Sequence, residues 1–283
     1  MMQSFLLTHE LAVRLAFFGG LLALLATWEL ATPWRPSVLP RLARWRTNLG
    51  LSVAGAVLVR FALPAAAMGV ALWCEVKEIG LFNQFDAPVA LSLPLSLLAL
   101  DLLIYAQHAA FHYVPLFWRM HRVHHADPEI DVTTAVRFHP LEILASMGIK
   151  MAAVAALGVP PVAVLIFEVA LNAMAMFNHS NVKLPPRIER SLRSVIVTPD
   201  MHRIHHSVRR DEHDMNFGFN LSLWDRAFGT YRESPQGGAE NLRIGLDAYK
   251  GAEPTRLFWS LALPFLDGAR PDTASDGQRQ ENA

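Results

Sequence analysis

The sequence predicts an all-α integral membrane helical bundle with a cytoplasmic, histidine-rich di-metal cap. Three observations lead there. Apolar residues make up 52% of the 283-residue chain and charged residues only 18%, a clear apolar excess over an ordinary soluble domain. Several stretches reach the roughly 20 apolar residues that a helix needs to cross a hydrocarbon core. Most of the 12 histidines fall into three groups: His108-Ala109-Ala110-Phe111-His112, His121-Arg122-Val123-His124-His125 and His202-Arg203-Ile204-His205-His206.

Taken in order, residues 11–30 form the first candidate span. Glu10 and His9 precede it in place of Lys or Arg, and no small-residue cleavage site follows, so it does not read as a signal peptide. Residues 49–73 and 89–107 are the second and third spans. Residues 141–177 are too long for one crossing and are interrupted by Pro160-Pro161, which predicts a hairpin of two short membrane helices, shallow or re-entrant. From about residue 181 the chain is Arg-rich and too polar to span. Residues 259–265 are apolar but short, an interfacial or packed segment, and the tail after Gly268 has a disordered composition.

Charge and cysteine content narrow the function. The formal net charge is zero, which gives no basis for a nucleic-acid partner. The single cysteine, Cys74, excludes an intrachain disulfide, a cysteine-ligated iron–sulfur cluster and a thiolate zinc site. Arg35, Arg41, Arg44 and Arg46 lie between the first two spans, and Arg119, Arg122 and Arg137 follow the third. The intervening loop carries Glu75, Glu78 and Asp86 against Lys77. Positive residues favour the cytoplasmic side, so the N-terminus is expected outside and all three histidine groups inside. The lack of a targeting sequence fits a bacterial inner membrane better than an endoplasmic reticulum.

Neutral imidazole is the commonest metal ligand. On a helix, residues four apart lie about 40° apart, so His108 and His112 share a face. In each His-x-x-His-His group the three imidazoles span about 100°, enough to ligate one ion and lean toward a second. Thr198 as cap, Pro199 in the first turn and Asp200 near the positive dipole end predict a helix start for the last group. His179, in Asn178-His179-Ser180 at the end of the hairpin, is a fourth contributor, and His139, in Phe138-His139-Pro140 before it, a fifth candidate. Tetrahedral zinc uses at most four protein ligands. Eight or nine imidazoles therefore argue for two metals of higher coordination. His9 and His213 read as ordinary surface residues.

The order His-x-x-x-His, His-x-x-His-His, Asn-His-Ser, His-x-x-His-His is followed by Asn216-Phe217-Gly218 and by Leu223-Trp224-Asp225-Arg226-Ala227-Phe228-Gly229-Thr230-Tyr231. Together these segments resemble the fatty acid hydroxylase/sterol desaturase superfamily over residues 95–235. The resemblance leaves residues 1–94 as N-terminal membrane helices and 236–283 as a C-terminal segment. It implies a membrane-bound non-haem di-iron oxidoreductase that uses O₂ and two electrons to hydroxylate or desaturate a lipid. It implies His108, His112, His121, His124, His125, His179, His202, His205 and His206 as iron ligands. It also implies a structural role for the Trp-Asp-Arg-x-Phe-Gly-Thr segment, with Asp225 and Arg226 as an ion pair. Neither a haem domain nor ferredoxin-type cysteines accompany the motifs, so electrons are expected from an external ferredoxin- or cytochrome b5-type donor with its reductase.

Polar residues inside the spans add further candidates. Asp101 lies seven residues before His108, about 20° away in projection and about 10 Å deeper, with Tyr105 on the same face. Intramembrane carboxyl groups face interiors or cavities, which makes Asp101 and Tyr105 candidates for the substrate path, with a purely structural pairing as the alternative. Lys150 and Glu168 are equidistant from residue 159 and predict an ion pair between the hairpin arms; Glu168 and Asn172 could instead serve the His179 face. Two rival functions stay open. A membrane zinc hydrolase would leave histidines unused and lacks His-Glu-x-x-His, although Glu129 and Glu142 are available as bases. A non-enzymatic haem or metal carrier needs opposed single histidines rather than triplets.

Overall fold

The computed structural model describes residues 8–266, and among these no β-strand forms. Five stretches are long and apolar enough to cross a membrane: Glu10–Ala31, Arg41–Gln84, Val89–Tyr113, Pro140–Leu157 and Pro161–His179. The chain is an all-helical integral membrane protein.

Helix α1 (Glu10–Ala31) is apolar almost all round and buries only Leu25 and Glu29, as a helix facing lipid would. Glu29 accepts hydrogen bonds from the backbone N–H of Val132 (2.7 Å) and Asn181 (2.6 Å), fixing the foot of α1 to two later segments. Helix α2 (Arg41–Ala62) buries Arg44, Thr47, Asn48, Leu51, Gly55 and Val59, a stripe of period three to four that turns from polar to apolar along the helix. A Cβ at Gly55 would lie 3.4 Å from Ile143, so the missing side chain lets α2 pack closely on the hairpin.

The expected single span over 49–73 is two helices. Pro64 disfavours a helical Leu63, α2 stops at Ala62, and α3 (Ala66–Lys77) starts afresh. The short α4 (Leu81–Gln84) follows Gly80, whose φ of +96° and close approach to Gly158 exclude a side chain. Helix α5 (Val89–Tyr113) continues beyond the apolar run and so carries His108 and His112. Val114 breaks the helix and Pro115 opens α6 (Pro115–His125), which folds back against α5.

The hairpin forms as expected. Helix α7 (Pro140–Leu157) ends at a left-handed Gly158, and Pro161 starts α8 (Pro161–His179). At 18 and 19 residues both arms are long and apolar enough to cross a membrane. The C-terminal third builds a cap from short helices: α9 (Pro186–Leu192), α10 (Pro199–His205), α11 (Arg210–His213), α12 (Leu223–Ala227) and α13 (Leu257–Ala262). Residues 259–265 are a packed segment, with Ser260 and Leu263 fully buried. The tail expected to be disordered lies beyond the described residues.

Candidate metal centre

The ends of α5 and α8, all of α6, and α10 meet at one end of the bundle. Thr198 caps α10 by accepting a hydrogen bond from the Met201 N–H, with Pro199 in the first turn, as its sequence predicts. The arginine inside each His-x-x-His-His group locks its helix in place. Arg122 donates to the carbonyls of Leu263 and Leu266, and Arg203 to those of Ser180 and Val182.

Nine buried histidines are sorted into two adjoining groups. His108, His112, His121, His125 and His205 form one, and His124, His179, His202 and His206 the other; within each, the ligand atoms lie within 4.8 Å of one another. Both His-x-x-His-His motifs are therefore divided. The first and last imidazoles of α6 join one group and the middle one joins the other; in α10 the middle imidazole crosses instead. The groups adjoin where the His125 and His206 rings stack, with centroids 4.6 Å apart.

The side chains fit transition-metal ions. The Nε2 atoms of His108, His112, His121, His125, His205 and His206 are buried without hydrogen-bond partners, which a group in an apolar interior does not tolerate unless something coordinates it. The opposite ring nitrogens are held from behind: His108 Nδ1 by the Phe217 carbonyl (2.7 Å), His205 by that of Met215 (2.8 Å), His179 by that of Ala175 (2.7 Å), and His121 by Glu142 (2.7 Å). Such partners orient metal-bound imidazoles. In the second group His179 Nε2 lies 3.1 Å from His124 Nε2 and 3.0 Å from His202 Nε2. Two nitrogens each about 2.1 Å from one ion, at right angles, stand about 3 Å apart.

Burial, and then the neighbouring imidazoles, hold the cap histidines His124, His125, His202, His205 and His206 well below the usual histidine range. They are therefore neutral near pH 7, the form that binds metal.

The remaining candidates fall elsewhere. His139 is in neither group: it caps α7, its Nδ1 accepting from the Leu141 N–H (3.2 Å) and its Nε2 lying 3.2 Å from the Leu261 carbonyl. Asp101 and Tyr105 face the cap. Asp101 accepts from Asn220 Nδ2 and Trp224 Nε1, both at 2.8 Å, and the Tyr105 hydroxyl bonds Thr230 (2.9 Å). Asp225 and Arg226 do not pair with each other, contrary to expectation. Asp225 accepts from the N–H groups of Phe217 and Gly218 and from Thr230 Oγ1, while Arg226 lies over the Tyr231 ring and donates to the Arg193 carbonyl. Burial raises the Asp225 carboxyl to about 6.

Two residues were under-read in the sequence. His213, expected at the surface, is buried with its ring parallel to Trp118 and 3.6 Å from Asp214, which in turn lies 3.3 Å from His112 Nδ1. Glu142 backs His121; the rule applied to Asp101, that a carboxyl in an apolar helix has an interior partner, also marks it. Glu129 instead anchors the loop between α1 and α2, accepting from the N–H groups of Val38 (2.6 Å) and Leu39 (2.8 Å).

A cavity of about 350 Å³ runs from His108, His121 and Glu142 between α7, α8, α1 and α2. Apolar residues such as Ile104, Phe111, Phe138 and Met147 line most of it. Away from the histidines it reaches the expected ion pair, Lys150 Nζ to Glu168 Oε1 at 2.8 Å, which Arg14 joins. Glu168 is thus committed to this cluster and not to the His179 face.

The fatty acid hydroxylase family matches residues 93–230. An ornithine lipid hydroxylase of Rhizobium tropici is 27% identical over 185 residues, 65% of this chain and 54% of that protein. The human alkylglycerol monooxygenase is 29% identical over 59% of this chain and 35% of its own, and a very-long-chain aldehyde decarbonylase of Oryza sativa 33% identical over 63% and 30%. The chain thus spans about half the length of the first relative and about a third of the others. No solved structure matches. Residues 93–230, which carry all nine clustered histidines, match the fatty acid hydroxylase family, and over this stretch the chain is similar to its lipid-oxidising members.

Proposed function

We propose that the protein is a membrane-bound, O₂-dependent lipid hydroxylase or desaturase whose two histidine groups each hold one non-haem iron. The observation that carries this reading is the pair of adjoining all-histidine groups, with His108 and His121 of one of them lining an apolar cavity. Iron bound there supplies O₂ activation: one oxygen atom enters a lipid C–H bond, or a double bond forms, and the rest of the O₂ leaves as water with two electrons from an external ferredoxin- or cytochrome b5-type donor.

The chain's own part is placement and exclusion. Phe138, with its ring parallel to that of His124 at 4.4 Å, and Phe219, 4.9 Å from His108, keep water from the histidines and leave the cavity as the approach for substrate. Glu142 fixes the His121 ring, and the Phe217 carbonyl fixes that of His108. The clustering of the histidines at one end of the bundle, together with the basic loops, supports a centre on the cytoplasmic side, in keeping with a bacterial inner membrane.

Elemental analysis of detergent-purified protein expressed with supplementary iron tests the reading. Two irons per chain and O₂-dependent lipid oxidation with a reductant are expected. One zinc per chain that iron reconstitution does not displace would overturn it and favour metal-assisted hydrolysis.

A further inference from the structure

The cavity is not uniformly apolar, and its polar atoms follow a pattern. Glu142, Ser146 and Lys150 recur at intervals of four along α7, which places them on one face, and all three line the cavity. Across from them stand Gln107 of α5 and Glu168 and Asn172 of α8. Gln107 Nε2 bonds Ser146 Oγ at 2.8 Å, whereas its Oε1 is buried without a partner. This amide and hydroxyl sit one helical turn, about 6 Å, from the Glu142–His121 contact. About 6 Å further on, Lys150, Glu168 and Arg14 form the charged cluster, with Arg14 also reaching Glu10 at 3.5 Å.

An alkyl tail drawn along this wall would leave Gln107 Oε1 unsatisfied and would lie against the Lys150–Glu168–Arg14 cluster with nothing to offer it, both of which are unfavourable in an apolar site. A head group carrying a hydroxyl or amide N–H would donate to Gln107 Oε1. The volume points the same way. About 350 Å³ is near the lower limit for ligand pockets, so a whole membrane lipid does not fit and only one end of it enters.

We infer that the polar end enters: the cavity binds the head of an amphiphile through Gln107 and Ser146, so that the oxidised carbon lies within a few bonds of a hydrogen-bonding head group. The rest of the tail remains in the bilayer, and the Arg14–Glu168–Lys150 cluster closes the polar wall. This assignment of substrate end rests on the lipid-oxidising reading above, but the binding it requires can be measured without turnover.

The test is equilibrium binding of radiolabelled 1-O-hexadecylglycerol, and of tail-matched hexadecane, to the full chain in nanodiscs. Gln107→Leu and Ser146→Ala should each weaken binding of the glycerol ether by roughly tenfold at unchanged metal content, and hexadecane should bind weakly to every form. Ser146→Ala removes a single oxygen and serves if Gln107→Leu fails to fold. Equal affinity of both variants and wild type for the glycerol ether, or hexadecane binding as tightly, would overturn the inference. With iron, O₂ and a reductant, oxygen should appear on a carbon attached or adjacent to the head group. Oxygen at mid-chain or at the tail end would overturn the inference and leave lipid oxidation standing. Head-dependent binding with no oxidation of any amphiphile would sustain the head-group site, overturn its link to an oxidised carbon and count against the oxygenase reading.

Discussion

His139 and His202 have similar sequence credentials, each beside a helix start, yet their surroundings separate them. His202 has Nδ1 buried without a partner and Nε2 3.0 Å from His179, whereas both ring nitrogens of His139 face backbone groups of Leu141 and Leu261. Replacing His202 with Ala is expected to lower bound metal by at least tenfold, and His139→Ala to leave it unchanged while removing a cap that contributes about 1 kcal/mol. Metal analysis alongside thermal unfolding separates the two effects; metal loss in His139→Ala would refute the assignment. Asp101 is a second case. Its three donors, Asn220, the Leu221 N–H at 3.3 Å and Trp224, belong to the segment that leads into α12 and to its first turn. Asp101→Asn should therefore cost about 1–3 kcal/mol of stability, the usual value for hydrogen bonds to a charged group, without changing metal content. Full stability with lost turnover would return Asp101 to the chemistry.

Among the elements, α2 shows how charge that reads as a loop signal becomes internal structure. Arg44 is 1% exposed and binds Asp127 (2.9 Å), Asp131 (2.6 Å) and Glu129 (3.2 Å), all in the loop that follows α6. Arg137 is fully buried too, donating to the Val123 carbonyl, Asn48 and Ser260, and so ties α6, α2 and α13 together. Removing one partner of a buried ion pair leaves uncompensated charge, so Arg44→Met should destabilise by about 3–5 kcal/mol. The position of α6 depends on this loop, and the same variant should lose metal in proportion to unfolding. A stable Arg44→Met protein would show that the carboxylates find water or protons instead.

Across the whole molecule, the metal centre joins the two ends of the chain's functional stretch: α5 and α6 supply five ligand candidates, and α8 with the α10 segment supplies four. Bringing nine apolar-enclosed imidazoles together leaves at least six Nε2 atoms unsatisfied, which metal ions would relieve. Metal binding is then linked to folding. Chelation of the purified protein is expected to lower its melting temperature by 10 °C or more on the order of the several kcal/mol that bound ions contribute, and to loosen the cap before the membrane helices. Hydrogen exchange that rises first in residues 199–230 after chelation checks this; uniform exchange would not fit.

Much of this was legible in the residues themselves. Apolar run length set the membrane helices, Pro160-Pro161 set the hairpin bend, the equal spacing of Lys150 and Glu168 about that bend set their pairing, and the motif order marked nine histidines as one constellation. These are local properties, fixed by helical periodicity and by which backbone conformations proline permits. Pro64 was equally visible, but the length of the apolar run outweighed it and the break between α2 and α3 was missed. What periodicity does not supply is the partner across a gap of many residues. Only packing divided each His-x-x-His-His motif between two groups, turned His213 inward, gave Arg44 its three carboxylates and set Gln107 opposite Ser146. Each depends on how helices distant in sequence are brought face to face, because the energy of a buried polar group is decided by the atoms that meet it there.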